Sequence, residues 1–265
     1  VSFRVGKGEA FGLVGESGSG KSTLGRIILR LMDADAGDIR FEGRSLSGAG
    51  ADMAGVRRRM QAIFQDPYAA LNPRMRVGTF IAEPLRVHGL GDRAERTERV
   101  AELLREVGLD PSVAGRYPHE FSGGQRQRLC IARALALKPA LIVADEPVTA
   151  LDMSIQAQIV NLMQDMQDEH GLAYVFIAHD LNLVRHMCRR AAVMYAGRIV
   201  EMGPVEALFG DPRHPYTRSL IAAAPRIGAG KRRAAESVTA AHPVPPPEAR
   251  LVPVGDDHFV LEQRP

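Results

Sequence analysis

The sequence predicts an α/β fold, with a mainly parallel sheet core, an antiparallel β part and an inserted α-helical subdomain. Three observations support this. Continuous apolar runs, which suit strands covered on both faces, alternate with helical patterns in the first and last thirds of the chain. Strand patterns stop from Tyr68 to about Leu137, where helical spacing takes over. A glycine-rich turn, Gly15 to Thr23, separates the first apolar run from the first helical pattern.

Composition limits the classes of protein to consider. The 265 residues are 45% apolar and 25% charged, which is ordinary for a soluble globular protein of one α/β domain or two unequal ones. The net charge is only +3, and the basic runs at Arg57–Arg59 and Lys231–Arg233 are short, so a solvated helix face or tail is favoured over a nucleic-acid surface. Few aromatic residues are present for stacking on bases.

Targeting signals and cysteines bear on where the protein works. No run approaches the length of a membrane-spanning helix, and no basic-then-apolar leader opens the chain, so we expect the protein to stay in the cytosol. Cys130 and Cys188 lack metal-type spacing and lie in helical surroundings. They are predicted to be reduced, buried, small apolar residues rather than parts of a disulfide scaffold.

The first strands are predicted around the glycine-rich turn. Val1 to Val5 alternates apolar and polar residues like an exposed edge strand, and Gly6 to Glu9 should turn it into a hairpin with the strand Ala10 to Val14. A helix follows the glycine-rich turn over Leu24 to Leu31. Two further strands are predicted at Ile39 to Glu42 and at Met60 to Phe64.

Helices of the inserted subdomain have clear start and stop signals. Asp92 can cap a helix that ends at Gly108. Its apolar positions at helical spacing are Val100, Leu103, Leu104 and Val107. Ser122 and Gln125 have capping-box spacing at the start of a second helix.

The second half returns to alternating strands and helices. The apolar run Ala140 to Ala144 ends in Asp145, a helix follows from Ser154 to His170, and Ala173 to Ala178 leads to His179, which predicts a right-handed parallel unit. Ala191–Tyr195 and Arg198–Met202 flank a short turn and predict an antiparallel hairpin. The compact domain is expected to end soon afterwards, and residues 226–250 are interpreted as a linker or tail.

The glycine-rich turn fits G-x-x-x-x-G-K-S/T between a strand and a helix, and therefore predicts a phosphate-binding loop. Glycines let successive N–H groups face inward, and the helix N-terminus favours anions. Lys21 would contact the β- and γ-phosphates, Ser22 would bind Mg²⁺, and Thr23 would help to cap the helix. The candidate ATP-binding residues are Gly15, Glu16, Ser17, Gly18, Ser19, Gly20, Lys21, Ser22 and Thr23. A glycine-rich turn that matches by chance is the alternative, and the motif alone predicts only a nucleoside triphosphate.

Polar residues at the carboxyl ends of predicted strands complete the site, because ligands of open α/β sheets bind there. Asp145 would hold Mg²⁺, and Glu146 would polarise the attacking water, or merely add negative charge. His179 could hydrogen-bond the γ-phosphate, or simply cap a helix. Gln65 can ligate Mg²⁺ or the water. The candidate catalytic residues are Glu146, His179, Gln65 and Lys21, and the candidate metal ligands are Ser22, Gln65 and Asp145.

Together with Phe121–Gln125 and Ala150–Asp152, these motifs resemble the ATP-binding cassette family over nearly the whole chain to about residue 220. The Ser-Gly-Gly-Gln signature is far more specific than the phosphate loop. The resemblance implies a P-loop NTPase (RecA-like) fold that hydrolyses ATP with Mg²⁺ in a head-to-tail dimer. It also implies that Asp152 couples the two sites. The signature residues that would contact the ATP of the other subunit are Ser122, Gly123, Gly124 and Gln125.

Two stretches, Ile63–Met75 and His214–Leu220, look like the oligopeptide/dipeptide importer branch of that family. The branch implies an ATPase subunit peripheral to the cytoplasmic face of the inner membrane. Its partners would be a second ATPase subunit, identical or different, transmembrane permease subunits that contact Tyr68 to Met75, and indirectly a solute-binding protein. Nucleic acid is not an expected partner. The His-Pro-Tyr-Thr stretch has no predicted chemical role of its own, and it serves only to identify the branch of the family.

Three alternatives stay open at this point. The importer could carry another solute, such as nickel, glutathione or a sugar-like compound. A soluble, non-transport ATPase acting on nucleic acid or ribosomes is less favoured, because this sequence shows no tandem cassette, coiled-coil insert or strongly basic surface. A catalytically idle subunit that binds ATP structurally is opposed by the complete set of Lys21, Asp145, Glu146 and His179.

The sequence departs from the family pattern in several places. The family has an aromatic residue upstream of the phosphate loop that stacks on adenine, and this chain is expected to start too late to contain it, because Phe3 and Phe11 are interpreted as core strand residues. Two explanations stay open: the chain is truncated, or adenine binding is weakened. No C-terminal cysteine cluster is present, so no iron–sulfur centre is expected. Phe121 replaces the leucine that is commoner in the family, and Thr149 occupies a position where the family often has serine. The predicted domains are a core at 1–67 and 138–210, a helical subdomain at 68–137, and a C-terminal extension at 211–265.

Overall fold

A computed structural model describes residues 1–47, 52–223, 242–246 and 248–262. The strands of this part of the chain are β1 (Ala10–Val14), β2 (Arg40–Phe41), β3 (Arg44–Ser45), β4 (Met60–Ile63), β5 (Leu141–Asp145), β6 (Ala173–Ala178), β7 (Arg190–Tyr195), β8 (Arg198–Pro204), β9 (Leu251–Gly255) and β10 (His258–Leu261). The α-helices are α1 (Lys21–Ile28), α2 (Met53–Arg59), α3 (Pro67–Ala70), α4 (Val77–Val87), α5 (Arg93–Glu106), α6 (Gly123–Leu135), α7 (Met153–His170), α8 (Leu181–Met187), α9 (Val205–Gly210) and α10 (Pro215–Ala223). Short 3₁₀ turns span Pro111–Gly115 and Pro118–Glu120.

The chain divides into two compact units. The first comprises Val1–Gly25 and Val175–Pro265, and the second comprises Arg26–Tyr174. The domain boundaries predicted above come from the change between strand and helix patterns in the sequence, not from contacts, and they stay a prediction. The predicted helical subdomain at 68–137 falls within the second unit.

The sheet of the first unit changes from parallel to antiparallel pairing. Its strands lie in the order β6, β1, β7, β8, β10 and β9. β1 pairs with β7 in parallel, with Phe11 opposite Arg190. β8 then pairs antiparallel with both β7 and β10. All five residues of β1 are buried, as the continuous apolar run predicts for a strand covered on both faces.

The hairpin of β7 and β8 confirms the turn prediction. The two loop residues, Ala196 and Gly197, both have positive φ, at 47° and 78°. This is the backbone of a two-residue turn whose twist matches that of the flanking strands. The strands therefore pair in register from Tyr195 opposite Arg198 outward, with one irregularity between Val193 and Met194.

The second unit combines a parallel strand pair with packed helices. β4 pairs with β5 so that Met60 lies opposite Leu141 and Ile63 opposite Ala144. Around them α4 packs on α5 and α6, and α6 also packs on α7. Asp92 caps α5 with a complete capping box, which confirms the predicted helix start. Gly171 ends α7 in the left-handed conformation, as predicted.

The prediction of a strand over Val1 to Val5 is wrong. In and next to this segment, side chains form hydrogen bonds with backbone groups that a strand would pair with a neighbouring strand. The N–H of Gly6 donates to the carboxylate of Glu9, and the guanidinium of Arg190 donates to the carbonyl of Arg4. The predicted turn at Gly6–Glu9 does form, closed by the Glu9 N–H on the Gly6 carbonyl.

The expectation that the compact domain ends soon after Met202 is also wrong. β9 and β10 form a second antiparallel hairpin that adds to β8, with Phe259 opposite Met202. Pro253 lies within β9, at the edge of the order given above, where a strand tolerates a residue without an N–H. Because of that proline and the adjoining Pro-rich stretch, the sequence pattern does not predict β9. Most of the predicted tail at 226–250, with the basic run Lys231–Arg233, lies outside the described residues.

Both cysteines are buried and free, as predicted. Burial raises the pKa of the Cys130 thiol to about 12 and raises that of Cys188 as well, so both thiols stay protonated and unreactive. Among the described residues, no helix combines the length and the apolar character needed to span a bilayer.

Candidate functional site

The predicted phosphate-binding loop lies in the first unit, between β1 and α1. Lys21 is only 4% exposed, and its Nζ lies inside the curve of the loop. Nζ donates to the carbonyls of Gly15 at 2.7 Å and Glu16 at 2.9 Å, and lies 3.4 Å from Oγ of Ser19. These three acceptors are neutral oxygens, and a phosphate oxygen is a stronger partner for an ammonium group than a neutral oxygen is.

The loop backbone requires glycine at its start. Gly15 has φ +153°, and a Cβ there would lie 2.3 Å from the carbonyl oxygen of Met194. At Gly18, by contrast, φ is +81° and a Cβ would meet nothing within 4 Å, so the tip is open. The N–H of Ser19 bonds to the Glu16 carbonyl, and that of Gly197 bonds to the Ser19 carbonyl. The loop is thus a braced cradle, open at the tip, beside a helix N-terminus and a buried cation, and it fits a phosphate chain.

In the second unit, Glu146 is held in an unusual conformation at the end of β5. Its φ is +48°, a value that side-chain-bearing residues rarely adopt and that is concentrated at functional sites. Oε2 of Glu146 accepts a hydrogen bond from Nε2 of Gln65 at 3.1 Å and one from Oγ1 of Thr149 at 3.1 Å. The carboxylate is therefore oriented by two donors.

Parallel pairing explains why Gln65 and Glu146 meet although 81 residues separate them. Gln65 follows β4 and Glu146 follows β5, and the carboxyl ends of paired parallel strands lie at the same edge. The structure thus brings together two of the predicted catalytic residues. Thr149, noted in the sequence only as a family substitution, is the third member of this cluster.

The remaining predicted residues lie at strand and helix ends. Ser22 is the second residue of α1, Asp145 is the last of β5, and His179 follows β6 with an exposed side chain. The cap of α8 is Asp180, whose carboxylate accepts from the Asn182 N–H at 2.8 Å. The alternative that His179 is simply the helix cap is therefore wrong.

The signature segment begins α6 with the predicted capping box. Oγ of Ser122 accepts from the N–H of Gln125 at 3.4 Å, and Oε1 of Gln125 accepts from the N–H of Ser122 at 3.0 Å. Both side chains are exposed. The N-terminal end of this helix is thus presented at the surface of the second unit.

Close packing on α7 explains the signature glycines. A Cβ at Gly124 would lie 2.5 Å from Cγ2 of Ile155, and one at Gly123 would lie 3.3 Å from Cδ2 of Leu151. Gln156 secures the turn before α7 by donating to the Val148 and Leu151 carbonyls. The signature helix and this turn therefore form one packed assembly.

Asp152 caps α7 within this assembly. Its carboxylate accepts from Oγ of Ser154 at 2.6 Å and from the N–H of Ile155 at 3.1 Å. The hydrogen bond from Ser154, followed by that from Ile155, lowers the pKa of Asp152. An ionised, exposed carboxylate thus lies between Leu151 and Ile155 in the chain, the two residues that contact the signature glycines.

This packing predicts the effect of Gly124→Ala. Because Cγ2 of Ile155 is close to its own backbone and cannot swing away, we expect the variant to lose ~1–3 kcal/mol of unfolding free energy in urea titrations. In an Ile155→Ala background the same change should be neutral or stabilising, since alanine is the better helix former.

Gly123→Ala is the matched control, since its nearest contact is the flexible end of Leu151, and it should have a smaller effect. Equal losses from Gly124→Ala with and without Ile155 would show that helix packing is not what requires glycine there.

A buried carboxylate in the first unit escaped the sequence interpretation. Glu201 of β8 is 0% exposed. Its Oε1 accepts from the Arg213 N–H at 2.8 Å and lies 2.8 Å from Nε2 of His258, while Oε2 accepts from the His214 N–H at 2.9 Å. Nδ1 of His214 in turn accepts from the N–H of Tyr216 at 3.2 Å. Burial is the main cause that lowers the pKa of His214, which keeps Nδ1 available as an acceptor.

The hydroxyl of Tyr216 then reaches the phosphate loop, where it accepts from the Glu16 N–H at 3.0 Å. The sequence singled out this His-Pro-Tyr segment only as a family label. No local pattern could have shown a contact between residues 200 positions apart.

Comparison with known families places this geometry in context. A family model described as "ABC transporter" matches residues 1–149. A second, described as "Oligopeptide/dipeptide transporter, C-terminal region", matches residues 200–248.

Curated relatives are similar over most of the chain. The glutathione import ATP-binding protein of Pectobacterium atrosepticum is 52% identical over 270 residues, which cover 98% of this chain and 43% of that protein. A putative peptide import ATP-binding protein of Brucella abortus is 57% identical over 235 residues, which cover 88% of this chain and 70% of that protein. The chain thus spans less than half the length of the glutathione import relative.

Solved structures share the fold. CbiO1 of Clostridium perfringens, described as part of the ABC transporter complex cbiONQ, aligns with a TM-score of 0.73 at 26% identity, over 80% of this chain and 83% of that one. A dimeric post-hydrolysis state of the ATP-binding cassette MJ0796, bound to ADP and Pi, aligns with a TM-score of 0.67 at 30% identity, over 77% of this chain and 88% of that one. These likenesses confirm the predicted fold class.

Proposed function

The chain belongs to the ABC transporter family, and on that premise we propose that it is the ATP-hydrolysing subunit of an importer of the oligopeptide/dipeptide type. ATP would be its substrate and Mg²⁺ its cofactor. We assign the core to 1–67 and 138–210, the helical subdomain to 68–137 and the C-terminal extension to 211–265, whose strands β9 and β10 continue the sheet of the core from β8.

The main support for ATP hydrolysis is the orientation of the Glu146 carboxylate by hydrogen bonds from Gln65 and Thr149. A carboxylate held by two donors is fixed in orientation, and a carboxylate can take a proton from a water molecule as that water attacks a phosphate. Lys21 would bind the β- and γ-phosphates from within the loop, and His179 would donate a hydrogen bond to the γ-phosphate.

The donor set also fits Mg²⁺. Ser22, Gln65 and Asp145 offer hydroxyl, amide and carboxylate oxygens, which are the ligands that this hard cation prefers. Nε2 of Gln65 donates to Glu146, so its carbonyl oxygen is left for a metal or a water. When bound, Mg²⁺ supplies positive charge to the phosphate oxygens.

We further assign the signature residues Ser122 to Gln125 to the ATP held by a second ATPase subunit, identical or different. Supporting this are the exposed Ser122 side chain, the open N-terminal end of α6 and the favourable dipole there. Asp152 would couple the two sites, since its turn packs directly on the signature glycines.

Import is supported by the match of residues 200–248 to the transporter C-terminal region and by relatives named for peptide and glutathione import. We place the protein at the cytoplasmic face of the inner membrane, held there by permease subunits that work with a solute-binding protein. Tyr68 begins the expected permease contact. It is 60% exposed, and the guanidinium carbon of Arg126 lies 4.1 Å from its ring centroid.

Affinity capture tests this proposal. The tagged protein, recovered from detergent-solubilised membranes, should bring down permease subunits and a solute-binding protein. Calorimetry of that binding protein with dipeptides, oligopeptides, glutathione, nickel and sugars would then identify the solute.

We expect peptides to bind, and glutathione is the second candidate because of the relatives above. Binding of nickel or sugar alone would contradict the peptide assignment. Capture of ribosomes or nucleic acid in place of permeases would contradict transport.

A further inference from the structure

We propose that Tyr216 is a positioning residue for the phosphate loop, acting through the backbone of Glu16 on Lys21. The inference rests on the proposed function and extends it, because it gives the His-Pro-Tyr segment of the C-terminal extension a role in nucleotide binding. The contact that carries it is the hydrogen bond from the Glu16 N–H to the Tyr216 hydroxyl, 3.0 Å long.

Glu16 links this hydroxyl to the binding lysine. Its N–H donates to Tyr216, while its carbonyl accepts from Nζ of Lys21 at 2.9 Å and from the N–H of Ser19 at 3.2 Å. One residue therefore holds the start of the loop, its internal turn and the ammonium group. Without the Tyr216 hydroxyl, Glu16 loses the bond that fixes its N–H, and the acceptor position for Lys21 becomes less well defined.

The Tyr216 ring is fixed on its other sides. The residue is 0% exposed. Its ring lies 4.5 Å from that of Tyr195 between centroids, and the ring of His242 meets it edge-on at 5.6 Å. Burial raises the pKa of Tyr216, so the hydroxyl remains neutral at working pH. An aromatic ring packed in this way holds its hydroxyl at one position.

The segment that carries Tyr216 is anchored by Glu201. The fully buried carboxylate accepts from the N–H groups of Arg213 and His214, and it contacts His258 of β10. These contacts tie the start of the His-Pro-Tyr segment to β8 and β10. The loop is thus braced through Tyr216 by strands β8 and β10 of the first unit.

The test compares Tyr216→Phe with Tyr195→Phe in the full chain. Both changes remove one hydroxyl from the same aromatic cluster, but that of Tyr195 donates to the His242 carbonyl and not to the loop. We expect Tyr216→Phe to raise the calorimetric Kd for Mg·ATP by up to about tenfold, a limit set by the loss of one part-buried hydrogen bond to the Glu16 N–H. Tyr195→Phe should stay within about twofold.

Two further measurements separate positioning from general stability. Amide exchange followed by NMR should accelerate at Glu16 in Tyr216→Phe and not in Tyr195→Phe. In steady-state hydrolysis, KM for ATP should rise while kcat changes little, since the hydroxyl acts on binding rather than on Glu146.

Unchanged Kd and unchanged Glu16 exchange in Tyr216→Phe would overturn the proposal, as would equal losses in both variants. If Tyr216→Phe does not fold, amide exchange in the unaltered chain tests the proposal instead. A rapidly exchanging Glu16 amide would contradict the hydrogen bond to the Tyr216 hydroxyl. Unaltered ATP binding by Lys21→Ala would instead reject the phosphate-loop assignment, so the two failures are distinguishable.

Discussion

Replacement of Lys21 by alanine is expected to abolish measurable binding of Mg·ATP. The ammonium group is buried at 4% exposure and held by the carbonyls of Gly15 and Glu16 inside the loop. Phosphate oxygens would meet that charge directly. Charge-assisted hydrogen bonds contribute roughly 1.5–3 kcal/mol each, so losing two of them weakens binding by about 100-fold or more.

The control for this prediction is Lys7→Ala, which removes an exposed lysine from the same unit and should leave the affinity unchanged. Calorimetry gives the affinity, and circular dichroism on the same samples shows whether each variant is folded. An unaltered Kd for folded Lys21→Ala would mean that Gly15 to Thr23 does not bind the phosphates.

Glu146→Gln is expected to keep ATP and lose its hydrolysis. Glutamine has the same shape and keeps an oxygen that accepts from Gln65 and Thr149, but it cannot take a proton from water. General base catalysis contributes about 10²–10⁴-fold, so the rate should fall by that factor. With ATP bound and not cleaved, a closed dimer should accumulate.

Light scattering coupled to gel filtration detects that dimer, and phosphate release measures the rate. Glu169→Gln, a change at an exposed glutamate at the end of α7 in the same unit, is the control and should behave like the unaltered protein. Hydrolysis by Glu146→Gln at the original rate would eliminate Glu146 as the general base and favour the interpretation that it merely adds charge.

Local signals in the sequence predicted much of the fold. The helix cap at Asp92, the capping box at Ser122, the stop at Gly171 and the turn at Ala196–Gly197 all form as expected. Each depends on residues within a few positions of one another. Hydrogen bonds from a cap, or a positive φ at a turn, are largely decided by the chain segment itself.

The misses have a common physical cause. Val1 to Val5 alternates like a strand, but the carboxylate of Glu9 and the guanidinium of Arg190 bond to backbone groups of this region. β9 contains Pro253, so its residues do not read as a strand, although β10 pairs with β9 and continues the sheet from β8. In each case one partner lies far away in the chain, Arg190 for Arg4 and β8 for β10, and the local segment does not show it.

The sequence by itself was sufficient to predict the phosphate loop, the polar residues at the strand ends and the signature helix, because these motifs are short and their proposed chemistry requires particular residue types at fixed spacing. Only the tertiary structure decided three contacts. Thr149 and Gln65 both donate hydrogen bonds to Glu146, Gly124 packs against Ile155 where a side chain would clash, and the Tyr216 hydroxyl accepts from the Glu16 N–H. Those contacts depend on the packing of whole strands and helices against one another. Distances of a few ångströms between residues far apart in the chain follow from that packing and not from local pattern.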